Sequence, residues 1–267
     1  MKYIFINFIN TLRHYKASSL LNIIGMAVAF AAFYIILTQV IWGFCYNKGF
    51  EDGDRIFLMV YGDSDGVQSN TCRPYAERTL CAVPEVESYG IAECNNDDEG
   101  QFHYIKEDGK IRKFTAYVQK FTQGALTLFK FEEEQGSFKD LAKPRTCAVS
   151  AKFAKENNLK IGDKFSNSPE EPAEYEIVAT WKDKFPKASA LGSIKMLWDI
   201  RNNFIDEWSE FSFEYFVKLK NADVKEAAEK NANIAIKPVI EERYEDDTDD
   251  AKFDIESYKV KLIPLNP

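Results

Sequence analysis

The sequence predicts an α+β protein in which one N-terminal transmembrane helix precedes a large domain rich in antiparallel strands. Two observations predict this class. The run from Ala17 to Asn47 is uncharged and mostly apolar, and about 20 such residues are enough to cross the hydrocarbon core of a membrane. Residues 48–267 contain more alternating or β-branched segments than helical ones, as in a sheet with a few helices packed on it.

The charges beside the apolar run predict its orientation. Lys2, Arg13 and Lys16 precede the run, whereas residues 48–55 are mixed and net acidic. Cytoplasmic flanks carry the excess of Lys and Arg, so we expect a cytoplasmic N-terminus and an extracytoplasmic domain. The net charge is −8 overall. Residues 1–47 carry +3, which leaves −11 for the remainder, a balance that excludes nucleic acid as a partner because phosphates attract the opposite sign.

A cleaved signal peptide is the alternative interpretation of the same run. The small residues at 27–31 are typical of a cleavage site. Signal peptides, however, have an apolar region of about 7–15 residues, and here the apolar sequence continues through Trp42. The length therefore favours an uncleaved helix.

Small and polar residues recur along the run at spacings of four and three. They are Ser18, Asn22, Gly25, Ala29 and Ala32. This spacing places them on one helical face, and small residues allow membrane helices to approach closely. We expect this face to pack against other membrane helices that the chain does not contain. The alternative is that Gly and Ala are simply frequent in membrane helices.

Residues 1–16 predict a short interfacial helix on the cytoplasmic leaflet. An apolar face is formed by Ile4, Phe5, Phe8, Ile9 and Leu12, as in helices that lie in the membrane surface. A frayed extension of the membrane helix would show the same pattern.

The pattern after residue 47 predicts nine strands and three helices. The strands are expected at 55–61, 86–93, 102–107, 111–118, 146–150, 174–180, 192–197, 211–219 and 257–264, and the helices at 74–82, 151–156 and 222–233. Gly109 marks a hairpin turn between two of the strands. The acidic segment 241–250 is expected to be a solvated loop.

Residue chemistry gives no indication of catalysis, a metal or a cofactor in this chain. His14 and His103 fall on opposite sides of the membrane, so they cannot share a metal, and nucleotide-binding and hydrolase motifs are absent from the sequence. The segment 95–100 resembles the start of a calcium loop, but Lys106 stands where a bidentate Glu is required. The segment 63–66 departs from the calcium-loop pattern at an earlier position. Both segments are therefore expected to be turns.

Five cysteines are present, of which Cys45 ends the membrane run. Cys72 and Cys81 flank the first predicted helix and could form a disulfide, since extracytoplasmic compartments are oxidising. Unpaired buried thiols are an equally good interpretation.

An ordered set of short blocks resembles the MacB/FtsX-type ABC transporter permeases. The first block is the L-N-I-I-G opening of the membrane helix at 20–27. The others lie at 46–50, 54–57, 84–87, 148–150, 153–154, 161–164, 175–179 and 183–189. Each block alone is weak evidence of kinship, but the order of the blocks along nearly the whole chain is specific to the family. Departures at Asn47, Ala179 and Ala188 fall on structural positions and concern the closeness of kinship, not the fold.

The resemblance implies a mixed α/β porter-like periplasmic subdomain at 48–124 and 211–267, with a β-rich subdomain inserted at 125–210. It also implies a non-catalytic protein of the bacterial inner membrane that couples ATP hydrolysis to periplasmic movement, for export, lipoprotein release or regulation of a partner. ATP is expected on a partner ABC ATPase. A homodimer or heterodimer of permeases, membrane lipid and a periplasmic adaptor or substrate protein are the other expected partners.

The family permeases have further membrane helices after this domain, so we expect the chain to be part of a longer transporter. Two other functions compete with this interpretation. One is a single-pass sensor or adhesin whose outer domain binds a ligand directly. The other is a secreted enzyme, which the absence of catalytic motifs disfavours.

Overall fold

The computed structural model describes residues 14–62, 66–94, 101–107, 110–170, 172–185, 189, 191–192, 194–244 and 259–266, together with positions 3, 6 and 10. The chain divides into two compact units, residues 1–46 and residues 47–267. Each unit is described by itself.

The first unit is dominated by helix α1, Lys16–Cys45, which has 30 residues. It is long and apolar enough to cross a membrane. No residue of this fully described helix is buried. At 1.5 Å per residue its length is about 45 Å, more than the ~30 Å of a hydrocarbon core. The interfacial helix expected over 1–16 falls mostly outside the described residues.

The second unit contains four described α-helices and thirteen described strands. The helices are α2 (Arg73–Cys81), α3 (Gln123–Leu128), α4 (Ala151–Glu156) and α5 (Lys225–Tyr244). The strands are β1 (Ile56–Gly62), β2 (Val67–Gln68), β3 (Val86–Glu93), β4 (Gln101–Glu107), β5 (Lys110–Ala116), β6 (Val118–Phe121), β7 (Glu133–Gly136), β8 (Thr146–Ser150), β9 (Lys164–Phe165), β10 (Tyr175–Trp181), β11 (Met196–Asp199), β12 (Phe213–Leu219) and β13 (Lys259–Pro264). Short 3-10 helices cover Gly53–Arg55, Phe138–Ala142 and Ala222–Val224.

Each of the nine predicted strands and three predicted helices overlaps an element of its type, which confirms the α+β class. The β4–β5 hairpin is confirmed by its register, in which Glu107 pairs with Lys110. The sequence reasoning missed the short elements β2, β6, β7, β9 and α3. The prediction of a solvated loop over 241–250 is also partly wrong, because α5 continues to Tyr244. Residues 245–250 lie outside the described part.

Eleven of the described strands form one mixed sheet. Its order is β13-β1-β12-β3-β6-β11-β8-β10-β7, with β2 beside β1 and β9 beside β10. The neighbours β8–β10 and β6–β11 are parallel. Strands β3 and β6 are joined by only two residue pairs, Ala92 with Phe121 and Glu93 with Lys120. The sheet therefore has two broad halves joined by a narrow link.

Alternate side chains of β1 and β12 belong to two different cores, which lie on opposite faces of the first half of the sheet. Phe57 and Met59 of β1, with Tyr215 of β12, pack in one core with α2 and α5. Ile56 and the β12 residue Phe216 belong to another core. Successive side chains of a strand point to opposite faces, so one apolar strand serves both cores.

The second core continues across the narrow link, because helix α3 packs closely on β3. A Cβ at Gly90 would lie 2.4 Å from Cα of Ala125, so no larger residue fits at this crossing. Phe129, directly after α3, packs edge-on against Phe216 with ring centroids 5.0 Å apart. The same core contains Ala148 and Trp181 from the second half of the sheet.

A third core holds the β4–β5 hairpin against the second half of the sheet. Ile105 and Phe114 of the hairpin pack with Cys147, Phe165 and Met196. Ser166 and Tyr104 also exchange two backbone hydrogen bonds of 2.9 and 3.0 Å. The hairpin therefore packs against residues of the 125–210 segment, although the expected boundary assigns it to 48–124. The division into porter-like and inserted subdomains stays a prediction.

Helix α5 covers the free edge of strand β13. The Asn233 side chain donates to the carbonyl of Val260 at 2.9 Å and accepts from its N–H at 2.8 Å. Glu229 accepts from the N–H of Leu262 at 2.8 Å. Exposed edge groups invite pairing with other chains, and these side chains satisfy them internally.

Candidate functional site

The candidate site is the start of the second unit, the segment 47–55, together with the residues of that unit that hold it; we call it the junction. Asn47 donates from Nδ2 to the carbonyl of Leu265 at 3.1 Å. The N–H of Leu265 in turn donates to the carbonyl of Ile56 at 3.0 Å. The segment that enters the domain and the segment that follows its last described strand are therefore bonded side by side.

Left-handed residues shape the entering segment. Asn47 has φ 58°, Gly49 φ 102° and Asp52 φ 60°. Gly adopts this region freely and Asn and Asp tolerate it better than other residues. Within the second unit, these three residues turn the chain between residue 47 and the start of β1.

A group of six charged side chains, here called the junction network, ties this segment to the sheet. Its members are Glu51, Asp52, Arg55, Glu87, Lys130 and Lys218. The Nζ of Lys218 lies 3.0 Å from Asp52 and 3.1 Å from Glu87. Lys130 lies 3.1 Å from Asp52 and also pairs with Glu51. The entering segment is thus connected to β3, to β12 and to the turn after α3.

Lys218 is the centre of the junction network. Its side chain is only 12% exposed, so its charge needs both carboxylates, since an unpaired buried charge is strongly destabilising. Hydrogen bonds from Lys218, and then from Lys130, lower the pKa of Asp52 to about 2. The bond from Lys218 likewise lowers the pKa of Glu87. Both carboxylates therefore stay ionised at neutral pH.

Arg55 and an aromatic cluster extend the same junction. Arg55 lies 3.0 Å from Glu87 and donates to the carbonyl of Lys220 at 2.8 Å. Beneath the charges, Phe50 contacts Phe129 and Phe185 with ring centroids 5.7 and 5.9 Å apart. The entering segment is therefore held by both ion pairs and aromatic contacts.

The helix-packing face predicted from the sequence lies entirely on α1. Ser18, Asn22, Gly25, Ala29 and Ala32 are all helical and exposed. Their 4-3-4-3 spacing lines one face of the helix. Packing of this face against other helices stays a prediction.

Cys72 and Cys81 stand at opposite ends of α2. Cys72 is the N-cap residue and Cys81 the last residue. At 1.5 Å per residue their Cα atoms are about 13 Å apart, whereas a disulfide needs them within about 7 Å. All five cysteines are free thiols, and Cys72 is buried. Burial raises the pKa of Cys72 to about 11.

His103 is a buried core residue of the hairpin, with no exposed surface. Its Nδ1 lies 3.0 Å from Oδ1 of Asn167, and its ring packs against Phe114 and Phe165. Within the described residues, no group of three or more His, Cys, Asp or Glu side chains is arranged to hold a metal. The two calcium-like segments lie almost wholly outside the described part, with only Gly66 inside it.

Comparison with protein families decides the relationship of the chain. The model of the MacB-like periplasmic core domain matches residues 19–234, which is most of the sequence. The chain belongs to the MacB-like periplasmic core domain family. Its domain is thus of the transporter-permease type, and the resemblance drawn from the sequence blocks is confirmed. No curated protein sequence gives a match.

Solved structures show that the fold is shared with this family. A domain of a permease protein from Porphyromonas gingivalis matches with a TM-score of 0.64 and 16% identity, over 80% of this chain and 92% of that one. The periplasmic region of MacB from Actinobacillus actinomycetemcomitans matches with a TM-score of 0.51 and 10% identity, over 82% of this chain and 94% of that one. At these identities the likeness concerns the fold alone.

Sequence reasoning missed the junction network, although part of its signal was present. Asp54 and Arg55 were noted only as a family block, and Lys218 only as part of a strand. A lysine between Val217 and Leu219 in an apolar strand is a signal that a carboxylate lies nearby. Which carboxylates it meets depends on the order of the strands.

Proposed function

We propose that this chain is the membrane-anchored, extracytoplasmic part of an ABC transporter permease. A partner ATPase in the cytoplasm hydrolyses ATP, and the chain transmits the resulting movement to its outer domain without performing chemistry itself. The family and the apolar helix before the domain support this proposal. Residence in a bacterial inner membrane, a cytoplasmic N-terminus and pairing with a second permease chain are parts of the same proposal.

The observation that carries the proposal is the junction. A movement of α1 reaches the domain through the residues directly after it, and these are fixed by the Asn47–Leu265 bond and the junction network. Lys218 connects this segment to the middle of the first half-sheet. An entering segment that is fixed to the sheet suits transmission of movement better than an isolated anchor, for which a flexible linker would be enough.

The test uses the full protein, co-purified with its proposed ABC ATPase partner and reconstituted in nanodiscs. Spin labels at Ile161 and Ile234, which are both exposed and lie in the two different halves, report domain movement during ATP turnover. We expect the distance between the labels to change in the wild type. We expect Lys218→Met to reduce that change by at least half while ATP hydrolysis continues.

Lys152→Met is the matched control, because Lys152 forms an exposed ion pair with Glu156 on α4, outside the junction. It is expected to behave as the wild type. The proposal is rejected if no ATPase co-purifies, or if the label distance does not respond to ATP. A full response in Lys218→Met would reject the role of the junction.

A further inference from the structure

The second half of the sheet contains a cavity that the proposed function does not use. Its volume is about 380 Å³, and it lies between the loop before β8 and the turn after β11. The residues that line it include Lys143, Arg145, Tyr175, Trp198, Asp199 and Arg201. Small-molecule sites are commonly about 300–1,000 Å³ in volume.

Both walls of the cavity are fixed by hydrogen bonds. On one wall, Oγ1 of Thr146 donates to the carbonyl of Lys143 at 2.7 Å. On the other, the buried guanidinium of Arg73 donates to the carbonyls of Ile200, Arg201 and Asn203 at 3.2, 3.1 and 2.7 Å. Walls that are already ordered lower the entropic cost of binding a ligand.

One side of the cavity is an aromatic stack. Tyr175 stacks on Trp198 with ring centroids 5.0 Å apart and planes 14° apart. The other neighbour of Tyr175 is Phe165, at 5.5 Å and 22°. Trp198 is therefore the last ring of the described stack, and a flat ring of a ligand can continue a stack of this kind.

The Nε1–H of Trp198 is buried and has no acceptor among the described residues. Buried indole N–H groups usually have a hydrogen-bond partner, and a buried donor without one is destabilising. This group is therefore an unexplained donor at a cavity wall. Because the atom has almost no accessible surface, an acceptor oxygen of a ligand satisfies it once the Trp198 side chain shifts toward the cavity.

The charges of the lining favour an anion. Asp199, with only 3% of its side chain exposed, is paired with Arg201. The Nε of Arg201 lies 2.6 Å from the carboxylate of Asp199. Lys143 and Arg145 remain, and their ion pairs with Asp140 and Glu174 are exposed. Exposed ion pairs contribute little to stability, so a ligand carboxylate can replace Asp140 or Glu174 as the partner of these cations.

We propose that this cavity binds a carboxylate attached to a flat ring, as in an aromatic acid or at the end of a peptide with an aromatic C-terminal residue. The ring of the ligand extends the Phe165–Tyr175–Trp198 stack, and its carboxylate pairs with Arg145 and Lys143. One acceptor oxygen of the ligand accepts a hydrogen bond from the N–H of Trp198. This inference does not depend on the proposed transport function.

The test is isothermal titration calorimetry of the full chain in nanodiscs. N-acetylphenylalanine provides the ring and the carboxylate, whereas its amide lacks the negative charge and N-acetylglycine lacks the ring. We expect saturable binding of N-acetylphenylalanine, and binding at least tenfold weaker for the other two. The peptide Gly-Gly-Gly-Phe distinguishes the sources: binding tighter than that of N-acetylphenylalanine supports a peptide end, and weaker binding supports a free aromatic acid.

Two conservative variants locate the binding. Trp198→Phe keeps the stack but removes the N–H, and Arg145→Gln removes the positive charge. Each is expected to weaken binding of N-acetylphenylalanine at least fivefold without changing the thermal midpoint. Lys184→Gln is the control, because Lys184 pairs with Glu132 and does not line the cavity. Equal binding of acid and amide, no saturable binding, or unchanged binding in both variants would overturn the inference.

Discussion

Arg73 connects the two halves of the domain through one side chain. It begins α2, which packs on the first half of the sheet, yet its Nη1 bonds three carbonyls in the turn after β11. Its Nε lies 2.5 Å from Glu77, one turn further along α2. A side chain only 5% exposed keeps its charge because all these partners are present.

We predict that Arg73→Ala lowers the free energy of unfolding by about 3 kcal/mol, because it leaves buried carbonyls and Glu77 without their partner. Arg73→Lys should recover only part of this loss, since one ammonium cannot reproduce the fork of a guanidinium. Urea unfolding of the full chain in detergent micelles, followed by tryptophan fluorescence, measures the difference.

Arg78→Ala is the matched control for this prediction. Arg78 lies on the same helix, but its ion pair with Glu242 is exposed, so its loss is expected to be less than about 1 kcal/mol. Equal losses for Arg73 and Arg78 would contradict the assignment of a structural clamp to Arg73.

At the scale of elements, short segments decide how the two half-sheets meet. Strand β6 and helix α3 form the narrow link, and neither was predicted. Both are short, with 4 and 6 residues, too few for a periodic pattern to stand out. Helix α5 was predicted to end at Asn233, yet it continues to Tyr244 through Pro238, a residue that normally breaks a helix. Its buried neighbours Ile236, Val239 and Ile240 provide enough apolar burial to outweigh that cost.

The β4–β5 hairpin should detach as the pH falls, because His103 is buried without charge. Burial lowers the pKa of His103 below its usual value. Below about pH 6.5, the pKa of a free histidine, the unfolded hairpin takes up a proton and the folded one does not. The stability is therefore complete above pH 6.5 and decreases as the pH falls toward the folded pKa.

Hydrogen exchange of the hairpin amides at pH 7 and pH 5, corrected for intrinsic rates, measures this effect. Protection is expected to decrease at pH 5 in the wild type and in His14→Asn. In His103→Asn the decrease should be much smaller, although the basal protection is lower. The carboxylate of Asp52, whose pKa is about 2, adds its own loss of stability only below about pH 4. An unchanged protection in the wild type at pH 5 would refute the role of His103.

At the scale of the whole molecule, charge and hydropathy predict how the chain lies in a membrane. Three cations, Lys2, Arg13 and Lys16, precede the uncharged run of α1, and an acidic domain follows it. The positive flank is expected in the cytoplasm, with the domain on the other side.

We predict that a membrane-impermeant maleimide labels Cys81 in intact cells whose outer barrier has been opened. Cys81 is exposed, so a variant that keeps it as its single cysteine should react without lysis. A variant whose single cysteine is at Lys2→Cys should react only after the inner membrane is permeabilised. Labelling of both before lysis, or of the second alone, would reverse the orientation.

A single-cysteine variant that retains Cys72 is the control for labelling at Cys81. Cys72 is on the same helix but buried, and its pKa is raised to about 11 by burial. Because the thiolate is the reactive form, Cys72 should stay unlabelled until the domain is unfolded. Rapid labelling of Cys72 in the native chain would show that α2 does not pack as described.

The sequence by itself determined the apolar helix, the α+β class, the nine predicted strands and the family. These features depend on local composition and on the order of short sequence blocks. Both can be read from residues that are neighbours in the chain. Only the tertiary structure decided which groups meet: Lys218 with Asp52, Arg73 with the turn after β11, and the aromatic stack with the cavity. Such pairs are separated by as many as 166 residues, and they follow from strand order and register, which no local pattern contains.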